Sequence, residues 1–236
     1  MGLRTPRPVL GGVRGPVRAV PPRHPAAADE HPAAELIRGR APPVRYAAPV
    51  STPRPWVIVP GIWNSAPEHW QSVWQQERGT AAVRIAPASW REPDPDDWRH
   101  AISVAVASCP EPPVLVAHSL GVLAVADWVA TSAAGLTLAV AGVFLVAPPD
   151  PLAPAFPEAA VGFTAPRAIP EGTRVPAQLV VSDDDPYCSA ARATEFAAAM
   201  GAEVVRVGAL GHVNVASGVG AWPWGRALLQ RFEDAR

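Results

Sequence analysis

Lysine is missing from this chain altogether, and all twenty basic residues are arginine. Such uniform use of one cation reflects coding bias rather than a site. Charge of either sign is scarce: Asp, Glu, Lys and Arg make up 17% of the 236 residues, and the formal net charge is −1. A near-neutral chain has no long-range pull toward nucleic acid or acidic membrane, and neither is expected as a partner. Only two cysteines occur, Cys109 and Cys188. They exclude a disulfide scaffold and a four-thiolate metal site, and they suit a reduced, cytoplasmic interior. Long apolar runs are few as well. Residues 128–149 carry no charge and are long enough to cross a bilayer. Thr131, Ser132, Gly135 and Thr137 divide that run, and Gly142, Pro148 and Pro149 frame a short β-rich piece. A helix end, a loop and a buried strand explain it, and no membrane span is expected.

What is plentiful is apolar material, at 49%, enough for the core of one full-sized domain. Proline is plentiful too, and unevenly placed: twelve of the 30 fall in residues 1–55. That stretch holds nine Arg against Asp29, Glu30 and Glu35, a local charge of +6, while residues 56–236 sum to −7. Its apolar patches, Val9-Leu10 and Val17, are interrupted by Arg14 and Arg18, so no signal-peptide core forms. We read residues 1–55 as a disordered extension, because they cannot bury enough surface to offset ordering entropy. The folded domain is expected over residues 56–236.

From Trp56 onward, short apolar runs alternate with helix-like stretches. Trp56–Val59, Val83–Ile85, Val114–Ala117, Val143–Val146, Leu179–Val181 and Glu203–Val207 read as strands. Helices are expected from Pro67 to Arg78, from Asp96-Asp97 until Pro110 stops it, and from Leu120 to about Ala130. Two more are expected over Ala190–Met200 and Pro223–Phe232. Such alternation implies βαβ units and a mostly parallel central sheet with helices on both faces. Trp70, Trp74, Trp98 and Trp128 lie on helix faces and read as core, whereas Trp63, in a loop, could line a pocket.

Chemistry concentrates at Ala117-His118-Ser119-Leu120-Gly121, a strand-to-helix junction with Ser at its apex. A turn sharp enough to expose that hydroxyl brings backbones close together, so the residues two before and two after must be small. Gly121 fits, and Ala117 departs slightly from the usual Gly. A serine needs a base and an orienting acid, in the chain order Ser, acid, His. His212, in Gly208-Ala209-Leu210-Gly211-His212 after the last strand, is the only histidine beyond Ser119. His118 adjoins Ser119, but neighbouring side chains at a sharp turn diverge, and His69 beside Trp70 reads as structural. The acid lies among Asp183, Asp184 and Asp185; Asp185, ahead of Pro186-Tyr187 and deepest in the loop, is preferred. Asp183 and Asp184 then read as solvated or turn-forming, with Asp150 as the competing acid one strand earlier. Oxyanion donors are expected at the Leu120 N–H and in the loop Pro60-Gly61-Ile62-Trp63, at Ile62 ahead of Trp63.

These residues resemble the retinoblastoma-binding protein 9-like small serine hydrolases of bacteria. The likeness spans about residues 56–233. It rests on Val59-Pro60-Gly61 with Asn64-Ser65 and His69-Trp70, on Ala117 to Gly121, and on Asp184-Asp185-Pro186-Tyr187. Gly211-His212, Asn214 and Ala216-Ser217-Gly218 complete it. The resemblance implies a compact α/β-hydrolase fold without a large lid, a triad on Ser119, Asp185 and His212, and esterase-like activity on small substrates. No metal or cofactor is expected, since neither His-x-x-x-His, Cys-x-x-Cys nor a phosphate-binding glycine signature occurs. The expected function is hydrolysis of small esters through an acyl-enzyme. The competing reading is a protein-binding module on the same fold.

Overall fold

The computed structural model describes residues 53–132, 140–169 and 175–235. The expectation for residues 1–55 therefore falls outside the described residues, apart from its last three. There the Pro55 carbonyl accepts the Val114 N–H at 2.9 Å, and the Arg54 carbonyl accepts from Arg78 at 2.6 Å.

Among the described residues six strands form one sheet: β1 (Trp56–Val59), β2 (Ala82–Arg84), β3 (Val114–His118), β4 (Gly142–Val146), β5 (Ala177–Val181) and β6 (Glu203–Arg206). Their order is β2-β1-β3-β4-β5-β6, and every pairing is parallel. Strands β1, β3, β4 and β5 are buried at every residue, while β2 and β6 at the edges are partly exposed. Burial on both faces is why the central strands are continuous apolar runs, and the edges can afford Arg84, Glu203 and Arg206.

Five α-helices among the described residues cover the sheet: α1 (Trp70–Arg78), α2 (Pro95–Ala107), α3 (Leu120–Ser132), α4 (Ala190–Met200) and α5 (Pro223–Asp234). Alternation along each strand divides the core in two. Val57, Leu115, Leu145 and Leu179 pack with α2, α3 and α4 through Trp98, Ile102, Leu123 and Phe196. Trp56, Ile58, Val116 and Phe144 pack on the other face with α1 and α5 through Trp70, Trp74, Leu229 and Phe232. Each such large side chain, fully buried, contributes roughly 1.5–3 kcal/mol.

Helix boundaries follow their caps. Asp94 accepts the Asp97 N–H at 2.9 Å, so α2 opens at Pro95, just ahead of the expected Asp96. Helix α1 departs further from expectation. It begins at Trp70 rather than Pro67, because the His69 ring Nδ1 takes the N-cap role and accepts the Gln71 N–H at 3.2 Å. Of the uncharged run over residues 128–149, the helix end and strand β4 are present, and its loop lies outside the described residues. Among the described residues no helix is long and apolar enough to cross a membrane. Between β4 and β5 the described residues hold only a 3₁₀ turn, Glu158–Ala160.

The strand order places the site. From β1 the chain runs through α1 to β2 on one side, then through α2 back to β3 on the other. The crevice beyond the carboxyl ends of β1 and β3 is this switch point, where parallel sheets bind ligands.

Candidate active site

Ser119 sits at that crevice, where β3 breaks into α3, with φ +55°. Only a tightly held turn keeps a non-glycine residue there. Its N–H donates to the Val146 carbonyl at 3.1 Å, and its carbonyl accepts from the Val122 N–H at 2.8 Å. The need for small neighbours is visible in distances. A Cβ on Gly121 would lie 2.3 Å from the Val59 carbonyl oxygen, and one on Gly61 would lie 2.8 Å from the Ser119 Cβ. Ala117 is accommodated because its methyl points into the core beneath the turn.

His212 and Asp185 converge on Ser119 from the ends of β6 and β5. The Ser119 Oγ is 2.8 Å from His212 Nε2, and His212 Nδ1 is 2.9 and 3.0 Å from the two Asp185 carboxylate oxygens. The His212 and Asp185 side chains are 8% and 3% exposed, so little water competes for these bonds. Asp185 also accepts the Tyr187 N–H at 2.9 Å, which fixes the carboxylate. The other acids are engaged elsewhere. Asp150 pairs with Arg192 at 3.3 Å, and Asp183 pairs with Arg206 at 2.5 Å. Asp184 does more than the expected solvation: it accepts the Gly211 N–H at 2.7 Å and the Ser182 hydroxyl at 2.9 Å. Those bonds hold its carboxyl below the usual range.

The glycine-bearing approach to His212 is correspondingly tethered rather than loose. The Leu210 N–H donates to Ser182 Oγ at 3.0 Å, and the His212 N–H donates to Ser217 Oγ at 3.0 Å. Ser217 in turn donates to Asn214 Oδ1 at 3.0 Å, and the Trp70 indole donates to the Val213 carbonyl at 2.9 Å. The diverging side chain of His118 has a use as well: its Nε2 donates to the His212 carbonyl at 2.9 Å.

Of the expected oxyanion donors, Ile62 and Leu120 both line the cavity beside Ser119, and neither N–H has a partner among the described residues. Trp63, the alternative, is committed, its N–H donating to the Trp90 carbonyl at 2.7 Å. Its side chain does line the cavity. The first-strand loop is stapled to β3 by fully buried Gln71. The Gln71 amide donates to the carbonyls of Val59 (3.2 Å) and Val116 (3.0 Å), and its oxygen accepts from Ser65 Oγ at 2.8 Å. Gln71, His118 and Asp184 escape sequence reasoning because each acts through backbone atoms distant in sequence.

The cavity over Ser119 measures about 200 Å³ and is walled by Ile62, Leu120, Pro149 and Tyr187 on its less polar sides. A wider groove of about 680 Å³ beside α2 and α3 holds Arg99 and Arg167, both paired with Asp127 (2.5 and 2.7 Å).

The family model for serine hydrolases matches residues 56–231. The chain belongs to the serine hydrolase family. A YdeN-like hydrolase from Pectobacterium atrosepticum is 35% identical, with TM-score 0.66 over 78% of this chain and 93% of that one. The ydeN gene product of B. subtilis is 21% identical, with TM-score 0.64 over 77% of this serine hydrolase and 100% of that chain. Naproxen esterase from Bacillus subtilis is 13% identical, with TM-score 0.52 over 76% and 83%, a likeness of fold alone. No curated protein matches the sequence. The α/β-hydrolase fold expected from the motifs is the fold of this serine hydrolase.

Proposed function

We propose that this serine hydrolase is a carboxylic ester hydrolase working through Ser119, His212 and Asp185, akin to the retinoblastoma-binding protein 9-like enzymes. The observation that carries this reading is the unbroken run of contacts from Ser119 Oγ through both His212 ring nitrogens to the Asp185 carboxylate. In the resting state His212 holds its proton on Nδ1, donated to Asp185, and Nε2 accepts the Ser119 hydroxyl. Oγ attacks the acyl carbon while its proton passes to Nε2, and the carbonyl oxygen takes up negative charge. The free N–H groups of Ile62 and Leu120 receive that charge, a contribution of about 3–4 kcal/mol per donor in comparable sites. The tetrahedral intermediate expels the alkoxide, which takes the Nε2 proton and leaves as alcohol. Water, deprotonated by His212, then releases the acid and frees Ser119. Asp185 stabilises the imidazolium and holds the ring in the productive tautomer.

The substrate in this reading is a small ester, in keeping with the cavity of about 200 Å³. Cys109 and Cys188 are both free thiols, which fits a cytoplasmic setting. The test is labelling of pure protein by a fluorophosphonate probe, with turnover of p-nitrophenyl esters. Labelling at Ser119, lost in Ser119→Ala together with turnover, is the expected result. An unlabelled protein without turnover would point to a binding module.

A further inference from the structure

His69 lines this same cavity, and the N–H of its buried imidazole has no acceptor among the described residues. As the N-cap of α1, its Nδ1 accepts the Gln71 N–H at 3.2 Å, which leaves the ring proton on Nε2. His69 is 6% exposed and lines the cavity with Ser119, its ring centroid 4.8 Å from that of His118. Nε2 has no hydrogen-bond partner among the described residues. The polar groups on the same wall are already in use. Asn64 Oδ1 accepts from the Ser65 N–H (2.7 Å) and Arg84 (2.6 Å), Ser65 Oγ donates to Gln71 (2.8 Å), and Asn214 Oδ1 accepts from Ser217 (3.0 Å). Burial, then the nearby Arg84 and His212, push the imidazole down to about 4, so it is a neutral donor near pH 7. Buried donors are almost always paired, and one left unpaired in a cavity wall can be satisfied by what enters the cavity.

We infer that His69 is a substrate-recognition residue whose Nε2–H donates to an oxygen of the substrate outside the scissile ester group. The favoured substrates are then small esters bearing an ether, hydroxyl or keto oxygen, in preference to plain alkyl esters of the same size. This rests on the reading of Ser119 as nucleophile, and it names the substrate class for that site. A site built to satisfy a hydrogen bond discriminates against the analogue lacking it, because its own polar group is left unpaired.

Two matched pairs of esters test it. One differs in the acyl part, p-nitrophenyl methoxyacetate against p-nitrophenyl butyrate, and the other in the alcohol, 2-methoxyethyl acetate against butyl acetate. His69→Asn retains a side-chain oxygen to cap α1 and removes Nε2. In one pair the kcat/KM ratio of methoxy to alkyl ester is expected to fall about tenfold on His69→Asn, with the alkyl ester changed less than threefold. Equal losses on all four esters, or unchanged ratios, overturn the inference. The full-length Ser119→Ala protein, labelled with ¹⁵N-histidine, gives a reading independent of turnover and of how His69→Asn folds. There the His69 Nε2–H resonance is expected to move downfield with a methoxy ester and not with its alkyl partner. Equal shifts, or none, overturn the inference by that route. Failure of the nucleophile reading looks different, because turnover would then survive Ser119→Ala.

Discussion

The His118 ring donates from Nε2 to the backbone carbonyl of His212 at 2.9 Å, so the residue before the proposed nucleophile holds the main chain of the proposed base. Burial, with His212 and His69 close by, keeps His118 well below the ordinary imidazole range and therefore neutral. A carbonyl only accepts, which assigns the His118 proton to Nε2. His118→Phe keeps a ring and deletes the donor, leaving a buried carbonyl unpaired at a cost of about 1–3 kcal/mol. The expected outcome is a lower melting temperature and a kcat reduced about tenfold, with KM little changed. His118→Gln, which can still donate, is expected to recover part of kcat. Steady-state kinetics beside thermal melts check both.

The proposed nucleophile and acid give the largest effects. Ser119→Ala is expected to lower ester turnover roughly 10³-fold or more. Asp185→Asn keeps the shape but favours the wrong His212 tautomer, and a loss of ~10²–10⁴-fold is expected. Asp184→Asn keeps an oxygen for Gly211 and Ser182, and Asp150→Asn alters only the pairing with Arg192, so both are expected to stay within about tenfold of wild type. Activity lost in Asp150→Asn and kept in Asp185→Asn would assign the acid one strand earlier.

The sheet was legible because its central strands are buried on both faces and so appear as apolar runs, Trp56–Val59 and Val114–Ala117 among them. Ser119 was legible because a strand ending in a small-x-Ser-x-small turn has few other uses, and His212 because no other histidine follows it. The start of α1 was not, since the cap is a histidine where Ser, Thr, Asp or Asn is usual, and Pro67 resembled a first turn. Gln71 sits between Trp70 and Ser72 like any helix-surface residue. What makes it important is the approach of two strand carbonyls, 12 and 45 residues away in sequence. Asp184 is exposed, as expected, but its bond to Gly211 escaped notice for the same reason, the partner lying 27 residues on.

Contact between α3 and β1 predicts a sharp contrast between two glycines. A Cβ on Gly121 would meet the Val59 and Pro60 carbonyl oxygens at 2.3 and 2.5 Å, both backbone atoms that cannot rotate away. Gly121→Ala must therefore separate α3 from the first-strand loop. Overpacking of this kind costs typically 1–3 kcal/mol or more. A Cβ on Gly220 meets nothing within 4 Å. Gly220→Ala is expected to leave stability within about 0.5 kcal/mol of wild type. Urea unfolding of both variants measures the contrast, and equal midpoints would mean the α3–β1 approach is looser than the distances state.

Stability near pH 5 is expected to depend on His69. Its folded pKa is held down to about 4, first by burial and then by Arg84 and His212, against an ordinary 6.5. Between those two values the unfolded chain binds a proton at this residue and the folded chain does not. Stability therefore rises with pH through the window, and falls as pH is lowered from 6.5 toward 4. Over the whole window the difference amounts to about 3 kcal/mol. His118 adds a change of the same sign, and it remains in a His69→Asn protein. That variant should consequently keep part of the acid sensitivity and lose the share belonging to His69. Urea unfolding of wild type and His69→Asn, measured from pH 7.5 down to 4.5, compares the two slopes directly. The variant is expected to have the flatter profile, the two curves converging in the acid relative to their separation at pH 7.5. Parallel profiles would mean that His69 takes up its proton in the folded protein as readily as in the unfolded chain.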